Sequence, residues 1–554
     1  MSRIILFDFI LKEITANNTN IYKKRKSIQC IMAQDHNSKL KELSSYLQDK
    51  GFVYGPAPEI YGGLAGFFDY GPLGKQIKNN VENTIRKVFQ RNQFFEVECP
   101  TVLPREVWEA SGHLGGFTDP LIKDKAGNIF RADNLIEEHF RNNNMDISTV
   151  KIDGATHEEL LKIIQQKFIK SPNGEELVME IKEHNLMMKT TIGLDKEAYN
   201  RPETATTTYL PFLRYLNFFR DKLPFGVFQI GKAYRNEISP RQFMLRMREF
   251  TQAEAQIFLF KDQKNNFDKF QTVADEKLPL WSWEDQDNPL TSMIDNVDSK
   301  PTLAKALEIG MLKNQAYAWT LSVAYNVFRE MGIPKSKIRL RQHNPKELAF
   351  YAEDAWDLEI ELNTFGWTEV CGIHDRKDYD LNVHAKASGT KLEATKIEGG
   401  KEVPHVLEIA FGTDRPTFAL LDLFYNKKEE DEGKTMLKIP YHMAPIPVMV
   451  FPLSNKLDEQ AQKIFQDLQE DFICWYDKSG SVGKRYLRAD TIGTPFCVTY
   501  DFDVEEQGTI TIRDRDSGEQ KRVPISDLTE VLRDLIKGKR TFSELVDYTK
   551  AKEE

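Results

Sequence analysis

Two strand-like runs, "FGVFQIG" and "AQIFLF", bracket the stretch "AYRNEISPRQFMLRMREFTQAE", Ala233 to Glu254. Together they call for paired strands with an unusual number of charges on one face. Side chains along a strand alternate faces at every residue. Arg235 and Glu237 then share a face of the first strand, and Arg246, Arg248, Phe250, Gln252 and Glu254 share a face of the second. Thr251, Ala253, Ala255, Ile257 and Leu259 take the opposite face, which can pack on helices. A helix would also align Arg246, Phe250 and Glu254, at i, i+4; the β-rich flanks favour strands. Such a face offers guanidinium forks to phosphate, a ring to a base and a carboxylate to an ammonium. A salt-bridged surface hairpin accounts for the same residues equally well.

A third run, "HVLEIAFGTDR" (His405–Arg415), tips that balance. Alternation groups Val406, Glu408 and Ala410 on one face and Leu407, Ile409 and Phe411 on the other. A carboxylate in so apolar a strand is expected to be partly buried, and burial without a partner costs several kcal/mol. An ion or ligand partner is implied, the plain alternative being an internal salt bridge. Gly412 lets a backbone or ligand approach, and Arg415 precedes a helix expected to begin at Pro416, where the missing N–H costs nothing.

At 554 residues, roughly two to four domains of about 100–200 residues are expected. The net charge of −9 excludes a bulk polyanion binder while leaving room for a local basic surface. No run approaches the ~18–20 apolar residues of a membrane span. Cys30, Cys99, Cys371, Cys474 and Cys497 form no C-x-x-C pair, which argues against a disulfide framework or zinc knuckle and suits the cytoplasm. The first 31 residues end in the basic cluster Lys23–Lys26, followed by a second methionine, Met32. The charge follows the apolar start, so this is no secretory signal; Asp8 and Glu13 weaken a mitochondrial leader. A disordered extension over 1–40 is the expectation. A helix is expected from Lys75 to Arg91, with Ile77, Val81, Ile85, Val88 and Phe89 on one face, then the strand-like "FFEVECPTVLP". Residues 141–190, with the amphipathic "HEELLKIIQQKFIK", read as an insertion, and "NKKEEDEGKT" (Asn426–Thr435) reads as a linker. The alternating pattern after it suits a small parallel or mixed sheet with helices on its faces.

These motifs resemble a known family. "FGVFQIGKAYRNEISPRQ…REF" is similar to motif 2 of class II aminoacyl-tRNA synthetases, "LEIAFGTDRPTFALL" to motif 3, and the helix–strand–proline ending at Pro100 to motif 1, the dimer-forming element. "GPLG", "WEASGHLGGFTDP", "FRADNLIEE", "RPETA", "REFTQAE" and "FGWTEVCGIHDRKDYDL" narrow the resemblance to the single-chain, homodimeric glycyl-tRNA synthetases. "RYLRADTIGTPFCVTYDFD" and "TITIRDRDSGEQKRVPI" resemble that family's anticodon-binding module. The likeness runs from about Gly51 to Ile536. It implies an α+β fold: a class II antiparallel sheet flanked by helices over 41–432, and an α/β anticodon-binding domain over 438–554.

The implied reaction joins glycine to ATP as glycyl-adenylate and then to the 3′ end of tRNA(Gly). By resemblance, Arg235 holds the α-phosphate, Glu237 reads the adenine amine, and Phe250 and Arg415 cover the two adenine faces, with Arg235 and Arg415 as the catalytic pair. Arg246 reaches the phosphates, and Asn236, Leu245, Glu369, Val370 and Gly412 complete the ATP set. Arg131, Glu203, Phe250, Glu254, Glu408 and Ala410 are implied around glycine, and Glu369 and Glu408 near Mg²⁺. Three departures stand out. Thr206 and Thr207 follow "RPETA" where the family has Gln-Gly, Ala410 stands where serine is common, and "DKAGN" lacks the cysteines of a zinc knuckle, so no zinc is expected. Lys484, Arg485, Arg488, Arg513 and Arg515 are expected at the anticodon. The rival readings are a catalytically inactive, synthetase-like nucleic-acid-binding accessory protein and a class II enzyme for another small amino acid.

Overall fold

The computed structural model describes residues 38–548, apart from 144, 146–149, 151, 153–154, 239, 241, 287–296 and 428–434. The 31-residue N-terminal stretch, Arg241 and most of the expected linker lie outside the described residues. A helix already covers 38–49, so its first residues fall inside the stretch expected to be an extension.

In chain order, the elements that build the site are helix α1 (Pro72–Arg91) and strand β1 (Phe94–Glu96), then helix α2 (Ala205–Tyr209), strand β2 (Phe225–Tyr234) and strand β3 (Glu249–Leu259). Strand β4 (Leu280–Trp281), helix α3 (Gln315–Glu330), strands β5 (Ile338–Gln342), β6 (Asp354–Leu362), β7 (Gly366–Lys377) and β8 (His405–Gly412) follow, with helix α4 (Asp414–Phe424). Beyond them come β9 (Val448–Pro452), α5 (Asp458–Gln469), β10 (Cys474–Tyr476), α6 (Val482–Ile492), β11 (Phe496–Tyr500), β12 (Thr509–Asp514), β13 (Gln520–Pro524) and α7 (Leu528–Ile536).

Proline at its first turn starts α1 without loss of a hydrogen bond. Its face of Ile77, Val81, Ile85, Val88 and Phe89 is buried, as the periodicity requires. Phe89 meets Phe94 of β1, Phe228 of β2 and Phe411 of β8 at ring distances of 5.3, 5.2 and 6.2 Å. That aromatic cluster seats the helix on the sheet. Gly74 makes the seating possible, because a Cβ there would stand 1.9 Å from the Phe52 carbonyl oxygen.

The large sheet has eight strands in the order β4-β5-β6-β7-β8-β3-β2-β1. Pairing is antiparallel at β5–β6, β7–β8, β8–β3 and β3–β2, and parallel at both edges, β4–β5 and β2–β1. α4 begins at Asp414, two residues before the expected Pro416, which falls within the first turn where a missing N–H is still tolerated. The C-terminal sheet is mixed, in the order β10-β9-β11-β12-β13, with β9 parallel to both neighbours. One of its faces packs on α5 and α7 around Val448, Val450, Phe496, Ile510 and Leu532.

The chain forms two compact units. The C-terminal sheet belongs to the same unit as the eight-stranded sheet. Links such as Asn80 Nδ2 donating to the Ala444 carbonyl at 3.1 Å tie the two sheets together. The other unit comprises, among the described residues, those from 38 to 46, Thr118–His184 and Asn363–Gly366. Most of the segment expected as an insertion, about 141–190, falls in this unit. Ile122, Phe130, Ile136 and Phe140 share one core with Leu160, Ile164 and Ile181, so the hairpin and helix after Thr118 cannot be separated from it.

Gly74→Ala should lower the urea midpoint of the chain, by about 2–3 kcal/mol of stability, since backbone and not a flexible side chain must give way. Equilibrium unfolding followed by circular dichroism measures it.

Candidate active site

A cavity of about 490 Å³ opens on one face of β3, β8 and β7. Register explains its walls. Gln252 pairs with Gly412, Glu254 with Ala410 and Gln256 with Glu408; Ala410 then pairs with Gly372, and Glu408 with His374. Every second residue of three adjacent strands faces the same space: Phe250, Gln252 and Glu254, then Glu408, Ala410 and Gly412, then Gly372, His374 and Arg376. Arg235 and Glu237, just beyond β2, and the 3₁₀ turn Phe243–Leu245 close one side.

Of the residues expected at the site, Arg235, Glu237, Leu245, Arg246, Phe250, Glu369, Val370, Gly412, Arg415, Glu203, Glu254, Glu408 and Ala410 all line this cavity. Asn236 and Arg131 are not wall residues. Asn236 spends its backbone N–H on the Leu186 carbonyl. Arg131 belongs to the other unit, where Asp119 lies 3.0 Å away and Asp133 accepts from Nε at 3.1 Å and Nη2 at 2.5 Å. Arg248, expected on the same face as Phe250, also turns away. The regular strand begins only at Glu249, so its alternation does not carry back to Arg248. Its guanidinium instead donates to the carbonyls of Glu237 and Ala65.

The cationic wall is held in place by oxygens. Arg246 donates to Glu237 at 2.9 Å, Arg415 to the Glu369 carbonyl at 2.8 Å, and Arg235 to the Pro202 carbonyl at 3.1 Å. Arg235 also lies 5.4 Å from the ring centres of both Phe250 and Phe117. These contacts restrict the rotamers of three long side chains while leaving other N–H groups free to meet phosphate.

Three carboxylates form the acidic wall. Glu408 is buried and accepts from the Tyr209 hydroxyl at 2.7 Å and from Arg376 at 3.3 Å; His374 Nδ1 lies 3.3 Å away. Burial pulls its carboxyl up, but Arg376 and His374 outweigh burial and bring it down to about 2. Glu203 accepts from Thr206 at 2.8 Å, with His113 at 3.5 Å. Burial opposes its ionisation, yet His113, Arg376 and Thr206 hold it well below the ordinary carboxylate range. Glu254 differs. It is 3% exposed and accepts one hydrogen bond from Thr204 at 2.5 Å. Burial, then the charges of Glu408 and Glu203, push it up to about 8, so it holds a proton at neutral pH. Of the three carboxyls, Glu254 is the one with no cationic side chain bonded to it among the described residues, and an ammonium in the cavity would favour its ionised form.

His374, Arg376, Tyr351 and Tyr209 are site residues that the sequence reading passed over. Gly372, His374 and Arg376 alternate in "CGIHDRK" just as the two recognised strands do, and that signal was available. Tyr209 carried none, since only tertiary packing brings α2 beneath Glu408. In the C-terminal sheet the expected cations divide. Lys484 and Arg488 are exposed. Arg485 and Arg515 are buried, their guanidiniums spent on the carbonyls of Pro452, Lys478 and Gly480 and of Gly493 and Ile439, and Arg513 pairs with Asp490 at 2.8 Å. A helix–sheet framework used them as internal donors, which their spacing did not reveal.

An antiparallel sheet with its ligand face on these strands, carrying Arg235, Phe250 and Arg415, together with a C-terminal mixed α/β domain, defines a class II aminoacyl-tRNA synthetase. Residues 447–535 match the profile of the "Anticodon binding domain" family. Over 90% of its length the chain is 41% identical to a glycine–tRNA ligase of Thermococcus kodakarensis, covering 98% of that protein. It is 38% identical to one from Methanococcus maripaludis over 90% of the chain and 99% of the relative, and 41% identical to one from Pyrococcus furiosus over 89% and 99%. The chain belongs to the glycine–tRNA ligase family.

A carboxyl raised by folding stabilises the fold fully below its unfolded value, and that stability is lost as pH rises through about 8. Glu254→Gln should flatten this decline, remaining more resistant to urea than the parent at pH 9 while the two converge toward pH 5. Urea midpoints at three pH values test it.

Proposed function

We propose that this chain is a glycine–tRNA ligase. It activates glycine with ATP, releasing pyrophosphate, and passes the glycyl group to a terminal ribose hydroxyl of tRNA(Gly). One observation carries the reading: a single cavity sets Arg235, Arg246 and Arg415 and a phenyl ring beside Glu203, Glu408 and Glu254, the last of which has no cation bonded to it. A triphosphate needs the first set, and an amino acid's ammonium needs the second.

In the first step a glycine carboxylate oxygen attacks the α-phosphorus and the bond to the bridging oxygen of pyrophosphate breaks. Arg235 lowers the carboxyl of Glu254 through its charge, so it stands near both sets of groups and suits the transferring phosphate. Arg246 and Arg415 would neutralise the departing pyrophosphate, and Phe250 offers its face to adenine. Positioning and charge neutralisation supply the acceleration, with no covalent intermediate on the protein. Glycine's ammonium docks against Glu254, Glu203 and Glu408, and Glu254 gives up its proton as it binds. Magnesium arrives with ATP as substrate. Glu369, whose side chain is 53% exposed, suits it. Glu408 does not, because a divalent ion would have to displace Arg376 and Tyr209.

The finer readings follow from surfaces. β1 is an edge strand, and its Phe95, 47% exposed, meets the 67%-exposed Phe218 edge-on at 5.8 Å. An aromatic patch on an open sheet edge favours a second copy of the chain, a homodimer. Lys484 is exposed and suits the tRNA backbone, whereas the exposed Arg488 already donates to Asp477 and to the Ser479 carbonyl. No described helix is long and apolar enough to cross a membrane, and the four described cysteines are buried free thiols, in keeping with the cytoplasm.

With Mg·ATP and labelled pyrophosphate, exchange should require glycine and not proceed with alanine or serine. Arg235→Ala should reduce it by about 10²-fold or more, the scale of losing one charged contact to a transition state. Exchange driven by another amino acid would overturn the substrate, and none at all would favour a binding protein. Separately, Phe95→Glu with Phe218→Glu should convert a sedimenting dimer into monomer; a variant that remains dimeric would remove this face from the interface.

A further inference from the structure

Directly behind the cavity lies a buried ion pair that the reaction as described does not use. Lys78, on α1, is 3% exposed, and its ammonium donates to Asp414 Oδ1 at 2.5 Å and to the Thr251 hydroxyl oxygen at 2.9 Å. Asp414, the first residue of α4, is 2% exposed and also accepts from the Tyr70 hydroxyl at 2.6 Å and, through Oδ2, from the Thr251 backbone N–H at 2.7 Å. The Thr413 N–H returns a bond to the Thr251 carbonyl at 2.7 Å. The Tyr70 ring lies 4.5 Å beneath the ammonium. Both Asp414 oxygens are thereby engaged, and strand β3 is stitched to the start of α4 by two hydrogen bonds in opposite directions.

Sequence adjacency gives this cluster its meaning. Thr251 follows Phe250, and Asp414 precedes Arg415. The two residues assigned to the adenine ring are each one peptide from the stitched pair, and Asp414 itself reaches the cavity wall. A buried lysine is costly unless its partner is held rigidly, and burial does pull Lys78 below its ordinary value against the opposing pull of Asp414. A purely structural anchor at this place could be apolar at lower cost; a charged one defines direction and distance.

We propose that Lys78, Asp414 and Thr251 are positioning residues for ATP: their network fixes the separation of Arg415 from Phe250 and makes α1 a support of the nucleotide site. The proposal rests on the assignment of ATP to Phe250 and Arg415. A shift of either group by a fraction of an ångström would loosen the nucleotide and leave the glycine carboxylates, on other strand positions, undisturbed.

The test measures KM for ATP and for glycine separately, by pyrophosphate exchange on the full chain. Lys78→Met combined with Asp414→Asn removes both charges, so no lone ion is left buried. Thr251→Val deletes the hydroxyl, and Thr251→Ser restores it. The double variant and Thr251→Val should raise KM for ATP about tenfold, as expected when an ordered contact is misplaced. KM for glycine should stay within about twofold, and Thr251→Ser should match the parent. An unchanged KM for ATP in the folded double variant overturns the proposal. So does a parallel rise in both constants, or loss of the folded far-ultraviolet spectrum in both Thr251→Val and the double variant, since each marks a purely structural network. Arg415→Ala separates the two layers of inference. If it raises KM for ATP while the double variant does not, only the positioning role falls; if it leaves KM unchanged, the nucleotide assignment falls as well.

Discussion

The pairing of β3 with β8, and of β8 with β7, is the constraint on which the site depends. Glu254 stands opposite Ala410, and Ala410 opposite Gly372, in register through Asp375, with a bulge at Arg376. Because side chains alternate with a period of two, a shift of one residue in any of these strands would turn its wall residues into the core. The opposite faces make such a shift prohibitive: Ala253, Ala255, Ile257, Leu407, Ile409 and Phe411 are all buried. Hydrophobic packing behind the sheet thus determines which charges meet in front of it. α1 and its aromatic cluster supply that packing, and so serve the chemistry at a distance.

Given that register, the second organising factor is how buried charges are balanced. Arg376 and Tyr209 satisfy Glu408, and Thr206 and His113 hold Glu203, but Glu254 faces two like charges with one hydroxyl donor. The imbalance is where binding energy can enter, because a ligand ammonium relieves a repulsion that the fold tolerates only by protonation. Elsewhere the chain completes such sets internally. Glu353, Asp375 and His405 come together with the spacing of a metal site, yet the Lys264 ammonium already sits 2.8 Å from Glu353 and 2.7 Å from Asp375. A lysine fills the cationic position there, and at Glu254 none does.

The fold was largely legible because its periodicities are strong. The α1 face, the three central strands and the mixed C-terminal sheet are patterns of two and of three to four. What was illegible has physical causes. Arg248 fell out of the cavity because the regular strand, and with it the alternation of faces, begins only at Glu249. Arg485 and Arg515 were read as nucleic-acid contacts because a buried guanidinium on carbonyl oxygens and an exposed one awaiting phosphate look alike in one dimension. That the hairpin after Thr118 shares a core with the later helix was not legible either, because the hairpin has no composition of its own.

The sequence by itself determined the inventory: which strands could carry charge on one face, which arginines and glutamates were present, and a family resemblance that the relatives then confirmed. Those properties are local or pairwise along the chain, so spacing records them. Tertiary structure alone decided the state of each group. It gave Glu408 a guanidinium and Glu254 a proton, and placed Lys78 behind Asp414, a residue 336 positions away. Charge state depends on burial and on neighbours in space, and neither is encoded in any single stretch of the chain.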